Sequence, residues 1–558
     1  MLALLPPATL FVFLAPVLVG LAGTLLPAFG YLPAIGAHDL SLAPWRDLFA
    51  WPGFDSALRL TLSVGVLSSL LSLAGAVALV AMLSGTRAFG RVQAALAPLL
   101  ATPHAAIALG LAFLLAPSGW IVRLISPEWT GWTRPPGDLV TIRDPYGLSL
   151  VAGLLTKEIP YLVLALAAAL GQVPAQRLIA CARSMGYSRG SAWLKLVLPQ
   201  LWPQIRLPFY AVVAYSLSVV DQALVLGPGN PPPLAVLALR WFSNYDLARY
   251  LPAAAAGTLQ LGLVVAGLVI CRLAEWGVGK AGRFWLERGR RSGAADWLLP
   301  VVAVPTGVVL AAGLLALLAL ALWSFAASWP FPAALPLRWS LSAWAGAGER
   351  LQGSLGTTVL IAAAATAVAL VLCVGCLEQE ARLQRKPRNG LLWLLYLPLL
   401  VPQIAFLFGL QVALVRLRLD ATLLAVIWAH LVFVLPYVFL SLADPWRALD
   451  PRLARSAASL GASPARIFFR VKLPILLRPL LVAAAVGVAV SVAQYLATVF
   501  AGAGRIATIT TEALTLASGA DRATIGVLGF TQTILPLLCY GLALTLPRIV
   551  FRHRRGLA

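Results

Sequence analysis

Apolar runs of about 20 residues recur along the whole chain, each long enough as a helix to cross the roughly 30 Å of hydrocarbon in a bilayer. The runs are continuous rather than alternating, so they read as helices and not as barrel strands. A helix satisfies its own backbone polar groups, which lipid cannot do. Composition agrees, because 60% of the 558 residues are hydrophobic and 11% are charged, far more apolar surface than a water-soluble fold needs. The expected fold is an all-α membrane protein of twelve spans, at 8–30, 59–84, 94–116, 147–170, 208–227, 251–273, 297–322, 355–376, 391–415, 421–443, 479–501 and 524–547. The apolar N-terminus, Met1 to Gly30, has no basic leader or clear small-residue cleavage site and reads as a retained first span.

A net charge of +22 raises the question of nucleic acid, and its distribution answers it. With both termini cytoplasmic, 28 of the 42 Lys and Arg fall in inner segments and 12 in outer loops. That is the positive-inside bias of a cytoplasmic-membrane protein; the basic loops suit anionic lipid, and no nucleic-acid partner is expected. The five cysteines lie on spans or inner loops, where disulfides are not expected. Cys373 and Cys376 have the spacing of a metal clip, but no second pair or nearby His accompanies them, so they read as small core residues and no metal site is expected.

The chain repeats at about half its length. Pro103 precedes Gly110 as Pro402 precedes Gly409, Pro160-Tyr161 corresponds to Pro436-Tyr437, and Ser218-Val-Val-Asp221 to Ser491-Val-Ala-Gln494. Six spans per half preserve orientation, so the repeats are parallel. The expected organisation is a first half at 1–273, a basic cytoplasmic linker at 274–296 with Lys280, Arg283, Arg288, Arg290 and Arg291, and a second half at 297–558. An outer insertion at about 117–146, rich in Trp, Pro and Gly, is expected to fold with short interfacial helices.

Between spans four and five of each half lies a basic block, at about 174–207 and 447–478. Gly186 precedes Pro199 at the same spacing as Gly461 precedes Pro474. Small residues lead to the glycine, which permits a turn at positive φ, and a short amphipathic stretch follows. The pattern predicts a helix–turn–helix along the membrane surface. A plain basic loop would explain one copy; two copies at one spacing, in equivalent places, argue for a shared task.

These blocks resemble the coupling loops of ATP-binding-cassette importer permeases, whose signature is Glu-Ala-Ala, three residues, Gly, a spacer, then a hydrophobic residue before Leu-Pro. Ala182, Gly186 and Pro199 hold the signature positions in the first copy, and Ala457, Gly461 and Pro474 in the second. The resemblance covers essentially the whole chain as two fused six-helix units of the type I importer kind, and such fusions are typical of the thiamine and iron(III) importer group. Lys157-Glu158-Ile-Pro160, the Gly/Pro-rich run from Leu226 to Val236, Gln494 to Arg505 and Thr510-Thr-Glu512 look like the YnjC-like subgroup. The resemblance implies that each loop docks on a cytoplasmic ATPase dimer and that a periplasmic or lipid-anchored binding protein delivers a small solute. One departure stands out: the signature Glu is Ala180 in one copy and Arg455 in the other. That puts the contact of that carboxylate in doubt, while docking by shape and apolar packing is expected to persist.

Ionisable residues inside spans are costly and mark function by default. Lys157-Glu158, beside Pro160, reads either as an internal ion pair that stabilises the bundle or as a pathway or gating pair. His430 reads as a packing hydrogen-bonder. Asp221 and Gln494 are pseudo-symmetric, and the resemblance places their spans on the central path; they either line it, with Tyr495 a further candidate, or make a structural hydrogen bond between helices. Arg505 and Glu512 follow at an outer mouth, where Arg505 either meets an anionic substrate or a docking protein, or is a solvated loop charge.

No Ser/His/Asp set, metal-ligand cluster or paired carboxylates on one helix appears, and no Gly-x-x-x-x-Gly-Lys-Ser/Thr loop. The chain is therefore expected to be no enzyme and to bind no cofactor, with ATP held by a partner subunit. The expected function is the multi-pass permease of an importer in the bacterial cytoplasmic membrane. The alternative is an ion-coupled secondary transporter with internal duplication.

Overall fold

A computed structural model describes residues 4–289, 291, 293–383, 389–517, 519 and 521–552. Arg290 of the expected linker, residues 384–388 of the basic run 382–388, and His553 lie outside the described residues. Among the described residues the fold is helical, with one two-stranded ribbon, Ala326–Ser328 paired antiparallel with Arg338–Trp339. In the first half the principal helices are α1 (Leu5–Ala28), α2 (Phe54–Leu83), α3 (Arg87–Ala101), α4 (His104–Leu115), α5 (Leu148–Leu170), α6 (Ala175–Ser184), α7 (Leu198–Ser218), α8 (Asp221–Leu226) and α9 (Tyr250–Glu287). Their counterparts in the second half are α10 (Ala295–Ser324), α11 (Gly348–Leu383), α12 (Asn389–Leu400), α13 (Ile404–Arg416), α14 (Leu423–Arg447), α15 (Pro451–Ser459), α16 (Leu477–Val492), α17 (Leu496–Ala501) and α18 (Arg522–Val550).

Among the described residues nine helices are long and apolar enough to cross a membrane, or eleven if each of two bent pairs makes one span. The expected count of twelve is not reached. The shortfall is at α7, which carries Pro203, Pro208, Gln200, Gln204 and Arg206 and is not among those helices.

Four expected spans are broken. The spans at 94–116 and 391–415 break before Pro103 and Pro402; Thr102 is extended at φ −72°, ψ 135°, and the second break turns the chain by 100°. A residue ahead of proline is pushed out of the helical region, and the proline brings no N–H to continue the ladder. The spans at 208–227 and 479–501 break at Val219–Val220 and at 493–495, with Val219 extended at ψ 134°. At the linker, α9 continues as helix to Glu287, well past residue 273.

Each half contributes its first helix to the other. α1 packs on α13, α11 and α14 of the second half, and α10 packs on α4, α2 and α5 of the first. The repeated glycines make this possible. A Cβ on Gly110 would stand 2.5 Å from the Ala316 carbonyl oxygen, and one on Gly23 would stand 2.8 Å from the Gly409 Cα. Backbones this close admit no side chain, which is the usual reason for small residues at helix crossings in lipid. The Gly409 N–H also donates to Thr24 Oγ1 at 3.1 Å. At the outer surface the 117–146 insertion forms one short helix, Trp120–Leu124, and lies against the outer loop of the second half; Trp120 Nε1 donates to the Ala334 carbonyl at 3.0 Å.

Candidate functional sites: two equivalent loops and a polar interior

The two Gly–Pro blocks fold alike from the backbone upward. α6 closes with Gly186 at φ +84°, where the Tyr187 N–H reaches the Ala182 carbonyl at 3.0 Å. α15 closes with Gly461 at φ +77°, where the Ala462 N–H reaches the Ala457 carbonyl at 3.1 Å. Glycine is the residue that takes this left-handed turn without strain. Ser188 and Ser463 then cap the next helical turn, accepting from the Ser191 N–H at 3.3 Å and the Arg466 N–H at 3.4 Å. Next, Trp193–Val197 and Phe468–Lys472 are both wound as wide π-turns at the same distance past the glycine. Pro199 and Pro474 stand in the first positions of the helices that follow. A π-turn is rare, and its recurrence in register shows one local structure encoded twice.

The loops differ in what holds them. The first is tied to the inter-half connection: the Ser188 N–H donates to the Arg291 carbonyl at 2.9 Å, the Gly190 N–H to Asp296 Oδ1 at 3.1 Å, and Lys195 Nζ to the Trp285 carbonyl at 3.3 Å. Arg189 Nη2 also reaches the Ser84 carbonyl, just past the end of α2, at 2.9 Å. The second loop is tied to α11. Lys472 Nζ meets Glu378 Oε2 at 2.7 Å, Arg382 supports the same carboxylate at 3.0 Å, and Arg447 makes a two-pronged pair with Glu380 at 2.7 and 2.9 Å. Ala180 and Arg455, where the signature has Glu, are both exposed. The carboxylates that fasten these loops, Asp296 and Glu378, come from other helices. Ala182 is buried and Ala457 half-buried, while Gly186 and Gly461 are exposed.

Inside the bundle the sequence neighbours Lys157 and Glu158 turn to separate partners. Lys157 Nζ donates to the carbonyls of Leu99, Leu100 and Thr102 at 2.8, 3.1 and 2.6 Å. These are the carbonyls that the break at Pro103 leaves without helical donors. Glu158 accepts from Ser72 Oγ at 2.9 Å and from Ser216 Oγ, which joins α2, α5 and α7. Both residues are buried, at 6% and 4% exposure, and their neighbouring positions in sequence make no ion pair between them. Their pseudo-equivalents Phe433 and Val434 are apolar.

Asp221 opens α8 at the break in span five. Its Oδ1 accepts the Tyr215 hydroxyl and the Gln222 N–H, both at 2.9 Å, and the residue is partly exposed. Its counterpart Gln494 bonds back to the Val490 carbonyl at 3.2 Å and leaves Oε1 without a partner. Tyr495 stands in the matching break of the second half, just ahead of α17, and is partly exposed. At the outer rim Arg505 pairs with Asp420 at 2.8 Å and Glu512 loosely with Arg350 at 3.9 Å, so these two residues join neither each other nor the interior group. His430 bridges Ser491 and Thr498 at 2.8 and 2.9 Å and so ties α14 to α16 and α17.

Two glutamines escape a reading of the sequence. Gln260 Nε2 donates to the Leu217 carbonyl at 2.8 Å, freed at the break in span five. Gln532 Nε2 donates at 2.6 Å to Thr510 Oγ1, which in turn donates to the Val492 carbonyl, freed at the matching break. The recurrence of Gln on α9 and α18 at equivalent depth was the available signal. Among the described residues no group of three His, Cys, Asp or Glu is arranged to hold a metal. Cys373 donates to the Leu435 carbonyl at 3.7 Å and Cys376 meets Thr9 at 3.3 Å, both as packing contacts.

No protein-family profile matches the chain. The inner membrane ABC transporter permease protein YnjC of Escherichia coli K12 is 34% identical over 524 residues, 93% of each chain. The putrescine transport system permease protein PotI of E. coli is 28% identical over 156 residues, which are 25% of this chain and 55% of PotI. Near-full-length similarity to one permease, with the helical membrane-spanning architecture of this chain, places it: it belongs to the permease family of ATP-binding-cassette transporters, as a fused, YnjC-like, multi-pass protein of the cytoplasmic membrane.

Proposed function

We propose that the chain is the permease of an importer, whose paired loops receive a dimeric cytoplasmic ATPase and whose interior carries a small solute inward. The observation that supports this reading is the loop structure repeated in both halves: turn, serine cap, π-turn and proline in the same register. ATP is hydrolysed on the partner, and this chain supplies no nucleotide site or cofactor of its own. A periplasmic or lipid-anchored binding protein hands over the solute at the outer mouth. Alternating access then follows as the two halves, each clasping the other's first helix, rock about the breaks in α7–α8 and α16–α17.

Cys181 provides the test, since it is exposed on α6 beside Gly186 while the other four cysteines are buried or half-buried. Bound ATPase should protect Cys181, and a Ser459→Cys probe on α15, from a maleimide, and ATP should drive uptake in liposomes. Undiminished labelling with uptake driven by an ion gradient and no ATP would establish the secondary transporter instead.

A further inference from the structure

At 1.5 Å per residue the 38 residues of α9 run about 57 Å, nearly twice the thickness of the hydrocarbon. Its last three turns have two unlike faces. Toward the bundle, Glu275 Oε1 accepts the Tyr210 hydroxyl of α7 at 2.6 Å. On the same side the Trp285 carbonyl accepts from Lys195 Nζ, which also stands 4.6 Å from the centre of the Trp285 ring. On the other side Trp276, Lys280, Phe284 and Arg288 follow one another at four-residue steps. The Lys280 ammonium stands 3.6 Å from the centre of the Trp276 ring, and the Arg288 guanidinium 4.1 Å from that of Phe284. All four are exposed, Trp276 at 65% and Phe284 at 55%, and Arg283 is exposed beside them. Among the described residues none of these three basic side chains is in an ion pair.

We propose that this face binds anionic phospholipid headgroups, and that lipid held there steadies the first of the two loops and not the second. Position carries the first part of the argument. The Ser188 N–H donates to the Arg291 carbonyl and the Gly190 N–H to Asp296, and Trp297 and Leu298, exposed at the foot of α10, follow directly. The first loop is thus held between the end of α9 and the start of a helix that crosses the membrane, so the aromatic and basic face stands at the lipid boundary. Charge carries the second part. Lys280, Arg283 and Arg288 against the exposed Glu287 leave a net charge of +2 on this side. Clustered basic residues just past a span meet anionic headgroups, and exposed aromatic rings settle at the same level. A free anion would satisfy the cations and leave both rings in water.

The helix itself needs such a partner. Gly277, Gly279 and Gly282 lie within these turns, and a Cβ on any of them would meet nothing within 4 Å. Glycine is the weakest helix former after proline, and here no packing against protein offsets it. A membrane interface that takes up the rings and pairs the cations holds an amphipathic segment helical. The bonds from Ser188 to Arg291 and from Lys195 to Trp285 pass that order to the first loop. The second loop is fastened to α11 through Glu378 and has no such tie. The surface stands whether or not the loops receive an ATPase.

Hydrogen–deuterium exchange on the full chain without ATPase tests this, in nanodiscs of phosphatidylcholine and in nanodiscs of an equal mixture of phosphatidylcholine and phosphatidylglycerol. A basic residue held at an anionic surface is worth about fivefold, so exchange across 276–287 should slow by at least about tenfold in the mixed discs. The Ser188 amide should slow with it, while the Ala462 amide of the second loop keeps its rate. The combined variant Lys280→Gln, Arg283→Gln, Arg288→Gln should lose the difference between discs. Lys280→Arg, and Arg134→Gln in the outer loop, should behave as wild type. Thermal unfolding shows whether each variant is folded, and raised salt should shrink the difference in wild type without any substitution. Equal exchange in the two discs, a folded combined variant that still responds, or the same slowing from inorganic phosphate added to phosphatidylcholine discs would overturn the lipid surface. So would protection of 276–287 that arises only when the ATPase is bound, and a matching response of both loops would overturn the link to the first. ATPase protection of Cys181 is scored separately, so a failed lipid surface and a failed permease reading give different results.

Discussion

A Cβ on Gly409 would stand 2.6 Å from both the Gly23 carbonyl carbon and the Thr24 nitrogen, rigid backbone that has nowhere to go. Gly409→Ala should therefore destabilise the protein by about 1–3 kcal/mol, as overpacking does. Gly262 on α9 meets nothing within 4 Å, so Gly262→Ala should be neutral or stabilising by up to about 1 kcal/mol through helix propensity. Thermal unfolding in a mild detergent compares the two. Asp144 shows what a polar residue does at a span's end. It accepts the Leu148 N–H at 2.8 Å, the Ser149 N–H at 2.9 Å and the Ser149 hydroxyl at 2.7 Å. Burial works to raise its pKa, but these hydrogen bonds win and hold the carboxyl below its ordinary value. A depressed carboxylate contributes stability above the unfolded-state pKa and loses it as pH falls through the folded value. Asp144→Ala should thus cost about 0.5–2 kcal/mol at neutral pH, and its gap in melting temperature from wild type should narrow on acidification. A gap that widens with acid would contradict this reading.

At the scale of the element, the loops are alike in backbone and unlike in restraint. Valine at Gly186 or Gly461 must adopt a left-handed conformation that costs an L-residue about 1–2 kcal/mol. Both variants should keep a folded membrane domain and lose solute-stimulated ATP hydrolysis in the reconstituted complex. The first loop is fastened to the connection between halves, so Asp296→Ala should speed amide exchange at Gly190 and leave the second loop as it was. The second loop depends on Lys472 and Glu378, whose side chains are 12% and 6% exposed. A double-mutant cycle of Lys472→Met with Glu378→Gln should give a coupling of about 0.5–3 kcal/mol in unfolding free energy. A value near zero would mean that Arg382 alone satisfies the carboxylate.

For the whole molecule the exchange of α1 and α10 matters most, because each half's first helix is packed on the other half. A protease site inserted after the exposed Gly289 should be cut without releasing the halves, which should copurify in mild detergent and separate only on denaturation. Separation of the cut halves in mild detergent would mean that the connection, rather than the exchanged helices, holds the molecule together.

The helical membrane class, the duplication and the two loops were legible in the sequence because each rests on short-range information. Hydropathy needs one window of residues; the Gly186 and Gly461 turns need one residue able to take positive φ, and recurrence at fixed spacing needs no contact at all. What lay beyond it was decided by contacts far apart in the chain. Lys157 and Glu158 are adjacent, yet successive helical residues point about 100° apart, so one met the carbonyls freed at Pro103 and the other met serines of α2 and α7. The breaks in spans five and eleven are tolerated because Gln260 and Gln532, from the last helix of each half, satisfy what the breaks expose. The His430 bridge to Ser491 and Thr498 is likewise a property of the assembled bundle, since no spacing along the chain encodes which faces two helices turn to each other.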